Sequence, residues 1–288
     1  MKALLLTLII VVVVLCFAPS AETAKPQDML LLGAGAPGAI PVNLYIDMEA
    51  GTGGNLITTT DASNATKGSG CTYSLTPDPL TRFFIDATDL GALLKPVSVG
   101  GTVYTGSGGT RSWRWDLDTA FSTNTQDVIC TVTTNSQRVS VSALIKTSLN
   151  VNTFQNHDLI EIRGSSSQDC VLQFKDNSGG GGGYGFLAHG VTTGGSSSGG
   201  NVVATTTNTT YMVTALYDSV AGTCELKVYN ASTKALVGTS TGAVISTGIN
   251  ATSFRIGNNN HAGESDGKDF WIDQVLFDWT NARYPLGI

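Results

Sequence analysis

Arg138-Val139-Ser140-Val141-Ser142-Ala143-Leu144-Ile145-Lys146 is the stretch that settles the fold. Val139, Val141, Ala143 and Ile145 stand two apart, so in an extended chain they share one face. That alternation predicts a β-strand with a buried side. Runs of the same kind lie on either side of it, at 43–46, 112–117, 159–163, 170–174, 184–187, 211–217, 224–229, 254–256 and 270–277. Gly, Asn, Asp or Ser separates them, which is turn chemistry. After the N-terminal region no amphipathic pattern extends for three helical turns. Many short strands between turn signals predict an all-β chain, an antiparallel two-sheet jelly-roll β-sandwich.

The N-terminus follows a different rule. Lys2 precedes an apolar run over residues 3–18, broken only by Thr7, and Pro19, Ser20 and Ala21 follow. A charged start, an apolar stretch and a small-residue end predict a signal peptide over 1–20. The apolar run is sixteen residues long, short of the roughly twenty that span a bilayer as helix. The expected protein is therefore secreted or at the cell surface, with no membrane span once the leader is removed. Residues 21–41 read as a flexible lead-in and 42–288 as a single jelly-roll domain. Only 13% of residues are charged and the formal net charge is −6. With no cluster of basic residues, that balance argues against nucleic acid as a partner.

Five cysteines are present, and Cys16 lies within the leader. The remaining Cys71, Cys130, Cys170 and Cys224 each alternate with apolar neighbours and so are expected to point inward. An even number in an oxidising compartment predicts two disulfides, with three connectivities open. Asn-x-Ser/Thr sequons at Asn64, Asn208, Asn230 and Asn250 are expected on surface loops. Glycines 179–183 and the Gly/Ser/Thr stretch 192–200 bracket the short strand around Tyr184 and read as a mobile rim.

Two motifs that suggest chemistry do not sustain it. Gly33-Ala34-Gly35-Ala36-Pro37-Gly38 has the spacing of a dinucleotide fingerprint, but Pro37, Gly38 and Pro41 oppose the helix that must follow. Gly263-Glu264-Ser265-Asp266-Gly267 has the spacing of a nucleophile elbow, yet all three histidines precede Ser265 and a strand follows. The best acid–base candidate is His157-Asp158-Leu159-Ile160-Glu161-Ile162-Arg163. At period two, His157, Glu161 and Arg163 share a face and Asp158 takes the other. Glu161 beside Arg163 fits a salt bridge better than a raised-pKa acid. An enzyme reading would use His157 as base and Arg163 to neutralise a uronate.

Oxygen-ligand chemistry is another matter. Asp47 and Glu49 end the first strand, and Asp269 and Asp273 lie in or beside the last. If the chain ends meet, these four carboxylates fit a structural calcium ion. Among the aromatics, Trp113 and Trp115 share a strand face suited to core or groove, and Tyr184, isolated among glycines, is expected to be exposed. These three are the expected sugar-stacking residues.

Three segments carry a family resemblance. They are Tyr45-Ile46-Asp47-Met48-Glu49-Ala50-Gly51, the pair Tyr211–Asp218 and 222–229, and the pair 254–257 and 270–277. Together they resemble the concanavalin-A-like, laminin-G-type jelly-roll superfamily of exported lectin-like domains. The resemblance implies two packed antiparallel sheets, a concave face that takes carbohydrate or protein, and frequently a calcium ion. The expected function is an exported, non-catalytic recognition or surface-structural module, with a glycan or an extracellular protein as partner. The alternative is a polysaccharide-active lyase or glycoside hydrolase on the same fold.

Overall fold

The computed structural model describes residues 38–106, 109–116, 126–148, 155–164, 169–177, 183–258 and 269–288. The leader, most of the lead-in, glycines 179–182 and the 263–267 motif lie outside them. Ala36–Ile288 form one compact unit. Its elements run β1 (Ile40–Pro41), β2 (Leu44–Ile46), α1 (Thr59–Ala65), β3 (Thr66–Gly68), β4 (Cys71–Thr76), β5 (Phe83–Asp86), β6 (Val97–Val99) and β7 (Thr102–Tyr104). Next come β8 (Ser112–Asp116), β9 (Gln126–Val132), β10 (Arg138–Thr147), β11 (Gln155–Gly164), β12 (Asp169–Asn177), β13 (Gly183–Val191) and β14 (Ser197–Gly199). The last are β15 (Val203–Ala204), β16 (Thr210–Asp218), β17 (Thr223–Asn230), β18 (Leu236–Val244), β19 (Ala251–Asn258) and β20 (Asp269–Asp278).

The strands form the expected antiparallel sandwich. The first sheet has the order β18-β17-β16-β10-β20-β2-β3, with β8 also on β20 and β5 on β8. The second has the order β14-β13-β12-β11-β19-β9-β4, with β15 on β13. Antiparallel β2 lies beside β20, so the first strand of this sheet meets the last. Between the sheets, Val139, Val141, Ala143 and Ile145 of β10 pack with Ile160, Ile162, Leu172, Phe174, Phe254 and Ile256 from the opposite layer. The alternation in the opening stretch therefore does what its period requires.

A third layer was not foreseen. The small sheet β1-β6-β7, with β1 parallel to β6, caps the outer side of the first sheet. There Tyr45, Leu144, Met212 and Leu276 join Leu90, Leu93, Val97 and Leu286 in a second apolar core. Strands β10, β16 and β20 are consequently buried on both faces. The helix α1 has two turns, closed by a capping box in which Thr58 and Asp61 bond each other's backbone N–H.

Both disulfides form. Cys170–Cys224 joins β12 to β17 and so ties the two sheets together, while Cys71–Cys130 joins the neighbours β4 and β9. Cys130, Cys170 and Cys224 are buried as expected, whereas Cys71 is half-buried. Among the described residues no helix is long and apolar enough to cross a membrane.

Candidate functional site

The strand carrying the acid–base candidate is not regular. Its register against β12 slips between Asp158 and Ile160, which is a β-bulge at Leu159. One extra residue reverses the facing of everything before it. His157 therefore turns into the core, 2% exposed, with its ring 5.1 Å from Phe270 and 6.0 Å from Trp115. Asp158 moves to the face of Glu161 and Arg163 and accepts a 2.7 Å hydrogen bond from Gln173 Nε2. The expected grouping of His157 with Glu161 and Arg163 is thus corrected: the last two stay together and Asp158 replaces the histidine.

On that outer face of the second sheet the charges interlock. Glu161 Oε2 lies 2.9 Å from Arg163 Nε and 3.6 Å from Arg255 Nε. Arg255 Nη1 reaches Asp127 Oδ2 at 3.2 Å. Burial pushes the Asp127 carboxyl up to about 7, against the pull of Arg255, and Glu161 adds to the rise. Burial likewise raises Asp158 to about 6, opposed by its bond from Gln173. Burial lowers His189, with Glu161 opposing. A two-carboxylate glycosidase needs its acids facing a groove that admits a sugar and water. Asp127, Asp158 and Glu161 are 1%, 8% and 4% exposed, and their described partners are guanidinium groups and an amide. This is a buried polar network that joins β9, β11, β12 and β19.

The aromatic expectations meet a similar fate. Trp113 packs edge-on to Phe83 and Trp115 stacks on Phe270, both within the core. Tyr184 is half-buried, with its ring edge-on to Phe174 and its hydroxyl 2.9 Å from Thr147 Oγ1. None of the three offers an open ring to a ligand. Flanking glycine left Tyr184 free in sequence, but strand pairing carries it onto Phe174.

Where β2 meets β20, the outer face of the first sheet holds an open pocket of about 280 Å³. Tyr45 of β2, Asp47 and Glu49 just beyond it, Tyr104 of β7 and Gln274 of β20 line it. Here β20 carries one residue more than β10 between paired positions, because Ser142 faces Leu276 and Leu144 faces Asp273. Gln274 sits in this bulge at φ +53°. A non-glycine residue in the left-handed region marks backbone held out of its preferred state. The bulge aims the Gln274 amide at Tyr45, whose hydroxyl donates to Gln274 Oε1. The Tyr45 and Tyr104 rings lie 5.3 Å apart, tilted by 52°.

The carboxylates are held firmly. Glu49 accepts backbone N–H bonds from Thr110 at 3.0 Å and Arg111 at 3.2 Å. Asp47 pairs with Lys67 at 3.0 Å. Behind them Asp273 is fully buried and accepts from the Gln274 N–H at 2.7 Å. Burial raises its carboxyl well above the ordinary range, and Asp89 and Glu49 add to the rise. Burial also raises the Tyr45 phenol, with Asp47, Asp273 and Glu49 adding to it. Asp47 and Glu49 line the pocket and Asp273 is buried in β20, whereas Asp269 lies apart. It lies four residues back along β20, 3.3 Å from Arg114. Among the described residues no group of three or more His, Cys, Asp or Glu side chains is placed to hold a metal ion. Tyr104 and Gln274 were not legible as site residues. Their roles depend on a bulge and on a third layer, and neither leaves a periodic signal.

No protein-family model and no curated protein matches the chain. Among solved structures it is similar to the binding domain of Paraclostridial Mosquitocidal Protein 1, with a TM-score of 0.48 and 11% identity over 82% of this chain and 49% of that one. It is also similar to the binding domain of botulinum neurotoxin serotype D (TM-score 0.39, 12% identity, 67% of this chain and 49% of that one). A third is the binding domain of botulinum neurotoxin serotype C1 (TM-score 0.38, 16% identity, 67% and 52%). The chain spans about half the length of each of these.

Proposed function

We propose that this chain is an exported recognition module of the concanavalin-A-like kind that binds one saccharide unit of a glycan in the Tyr45–Tyr104 pocket. The observation that carries it is the pocket's composition. The half-buried Tyr104 ring, backed by the buried Tyr45 ring, and two carboxylates border about 280 Å³ of open space. Vicinal sugar hydroxyls pair with planar carboxylates and amides, and the C–H face of a pyranose packs on an aromatic ring. Two disulfides fit an exported setting. The buried, arginine-paired carboxylates of the second sheet favour recognition over hydrolysis.

Calcium belongs to the same proposal. Asp47 and Glu49, the carboxylates that line the pocket, would supply charged oxygens, with carbonyls and water completing the shell. Wild type and Tyr104→Ala are to be screened on a glycan array with and without calcium, and assayed for reducing-end release on the same polysaccharides. The expected result is calcium-strengthened binding, about tenfold weaker in Tyr104→Ala (about 1.4 kcal/mol), with no release. Equal binding by the variant would sink the pocket, and sugar release would sink the non-catalytic reading.

A further inference from the structure

A second cavity, of about 440 Å³, opens at the end of the sandwich and shares no lining residue with the first. Its wall includes Trp279, which follows β20, and Arg138, which opens β10. Asn135 and Asn281 stand exposed on its rim, with Gln137 half-buried beside them. Val220, 56% exposed, adds an apolar edge.

The indole is held in place from behind. Phe254 backs it at 5.8 Å with the rings 26° apart. Asn43 Oδ1 accepts the N–H groups of Trp279 and Thr280 at 2.8 and 2.9 Å. The Asp278 carboxylate accepts the N–H groups of Asn281 at 3.1 Å and Arg283 at 3.3 Å. The segment between is fixed with Ala282, a wall residue, at φ +44°. Arg138 bonds Asp218 Oδ2 through Nε at 3.0 Å, and 56% of its side chain remains exposed.

A preorganised indole with planar amides and a guanidinium around it matches a pyranose. The ring packs on the C–H face, and forked N–H groups pair with vicinal oxygens. We propose that the Trp279–Arg138 cavity is a second saccharide-binding site, so that the module is bivalent. The ligand class rests on the proposed recognition function, but the residues are independent of the first pocket.

Calorimetric titration with hexasaccharides of glucose, N-acetylglucosamine, mannose and galacturonic acid tests it in four proteins. These are wild type, Tyr104→Ala, Trp279→Ala and the double variant Asn135→Ala/Asn281→Ala, whose changes are exposed and leave the stack on Phe254 intact. Two binding events are expected in wild type. Trp279→Ala removes one and leaves the other, and the double variant weakens the same event about tenfold with an unchanged melting temperature. If Trp279→Ala fails to fold, the double variant decides. A single event that Tyr104→Ala abolishes, and that the double variant leaves intact, overturns this site and spares the first pocket. A single event lost only in Trp279→Ala and weakened in the double variant supports this site and overturns the first. No binding by wild type overturns both.

Discussion

Asp127 shows how much one buried atom group decides. Its carboxyl is 1% exposed, and it titrates near 7 in the fold against 3.8 in the open chain. Between those values the native state holds a proton that the unfolded chain has released. Stability from this residue is therefore full below about pH 4 and falls as pH rises to about 7, on the order of 4 kcal/mol in all. Asp158 acts in the same direction up to about pH 6. His189, lowered by burial, acts in the opposite direction, losing stability as pH falls. Urea denaturation of wild type and Asp127→Asn across pH 4.5 to 7.5 separates Asp127 from these two groups. Asp127→Asn should flatten the decline and be at least as stable as wild type at pH 7.5; an unchanged slope would show that the proton is not held there. At Gly257 the constraint is steric. Its φ is +133°, and an added Cβ would lie 2.0 Å from the Gln126 carbonyl oxygen of the paired strand. Gly257→Ala should lower stability by about 2 to 4 kcal/mol, read as a reduced denaturation midpoint.

Among the elements, the bulges and bridges set what alternation alone leaves open. The bulge at Leu159 in β11 buries His157, and the one at Gln274 in β20 shapes the first pocket. Period-two reading located both strands, because apolar inward residues flank the slip in β20 and follow it in β11. It misassigned His157, because a bulge adds one residue without changing composition. The cysteines were legible as an even, inward-facing set, but their pairing depended on which strands become neighbours across the layers. Cys170 and Cys224 are 54 residues apart, so their bridge limits the unfolded chain by about 4 kcal/mol. The pair Cys170→Ala/Cys224→Ala should lose most of that in thermal or urea unfolding, with the strand content unchanged by circular dichroism. A loss below about 1 kcal/mol would mean that the sheets are held by packing alone.

Across the whole molecule, two apolar cores share one sheet between them. Leu286 belongs to the outer one. It is fully buried, and its N–H donates to Thr214 Oγ1 at 3.1 Å. Leu286→Ala should therefore destabilise the protein by about 2 to 5 kcal/mol, although the residue lies beyond the last strand. Calorimetry checks it, and a wild-type melting temperature would mean that the outer layer docks without contributing.

The order of residues alone determined β2, β8, β10–β13, β16, β17, β19 and β20, the sandwich class and the inward cysteines, because each follows from local alternation and turn chemistry. Tertiary structure decided the third layer, the disulfide pairing, the burial of His157, Trp113 and Trp115, and the separation of Asp269 from Asp47 and Glu49. Those outcomes depend on register slips and long-range neighbours. Residues 229 positions apart, Tyr45 and Gln274, share a pocket because β2 closes against β20.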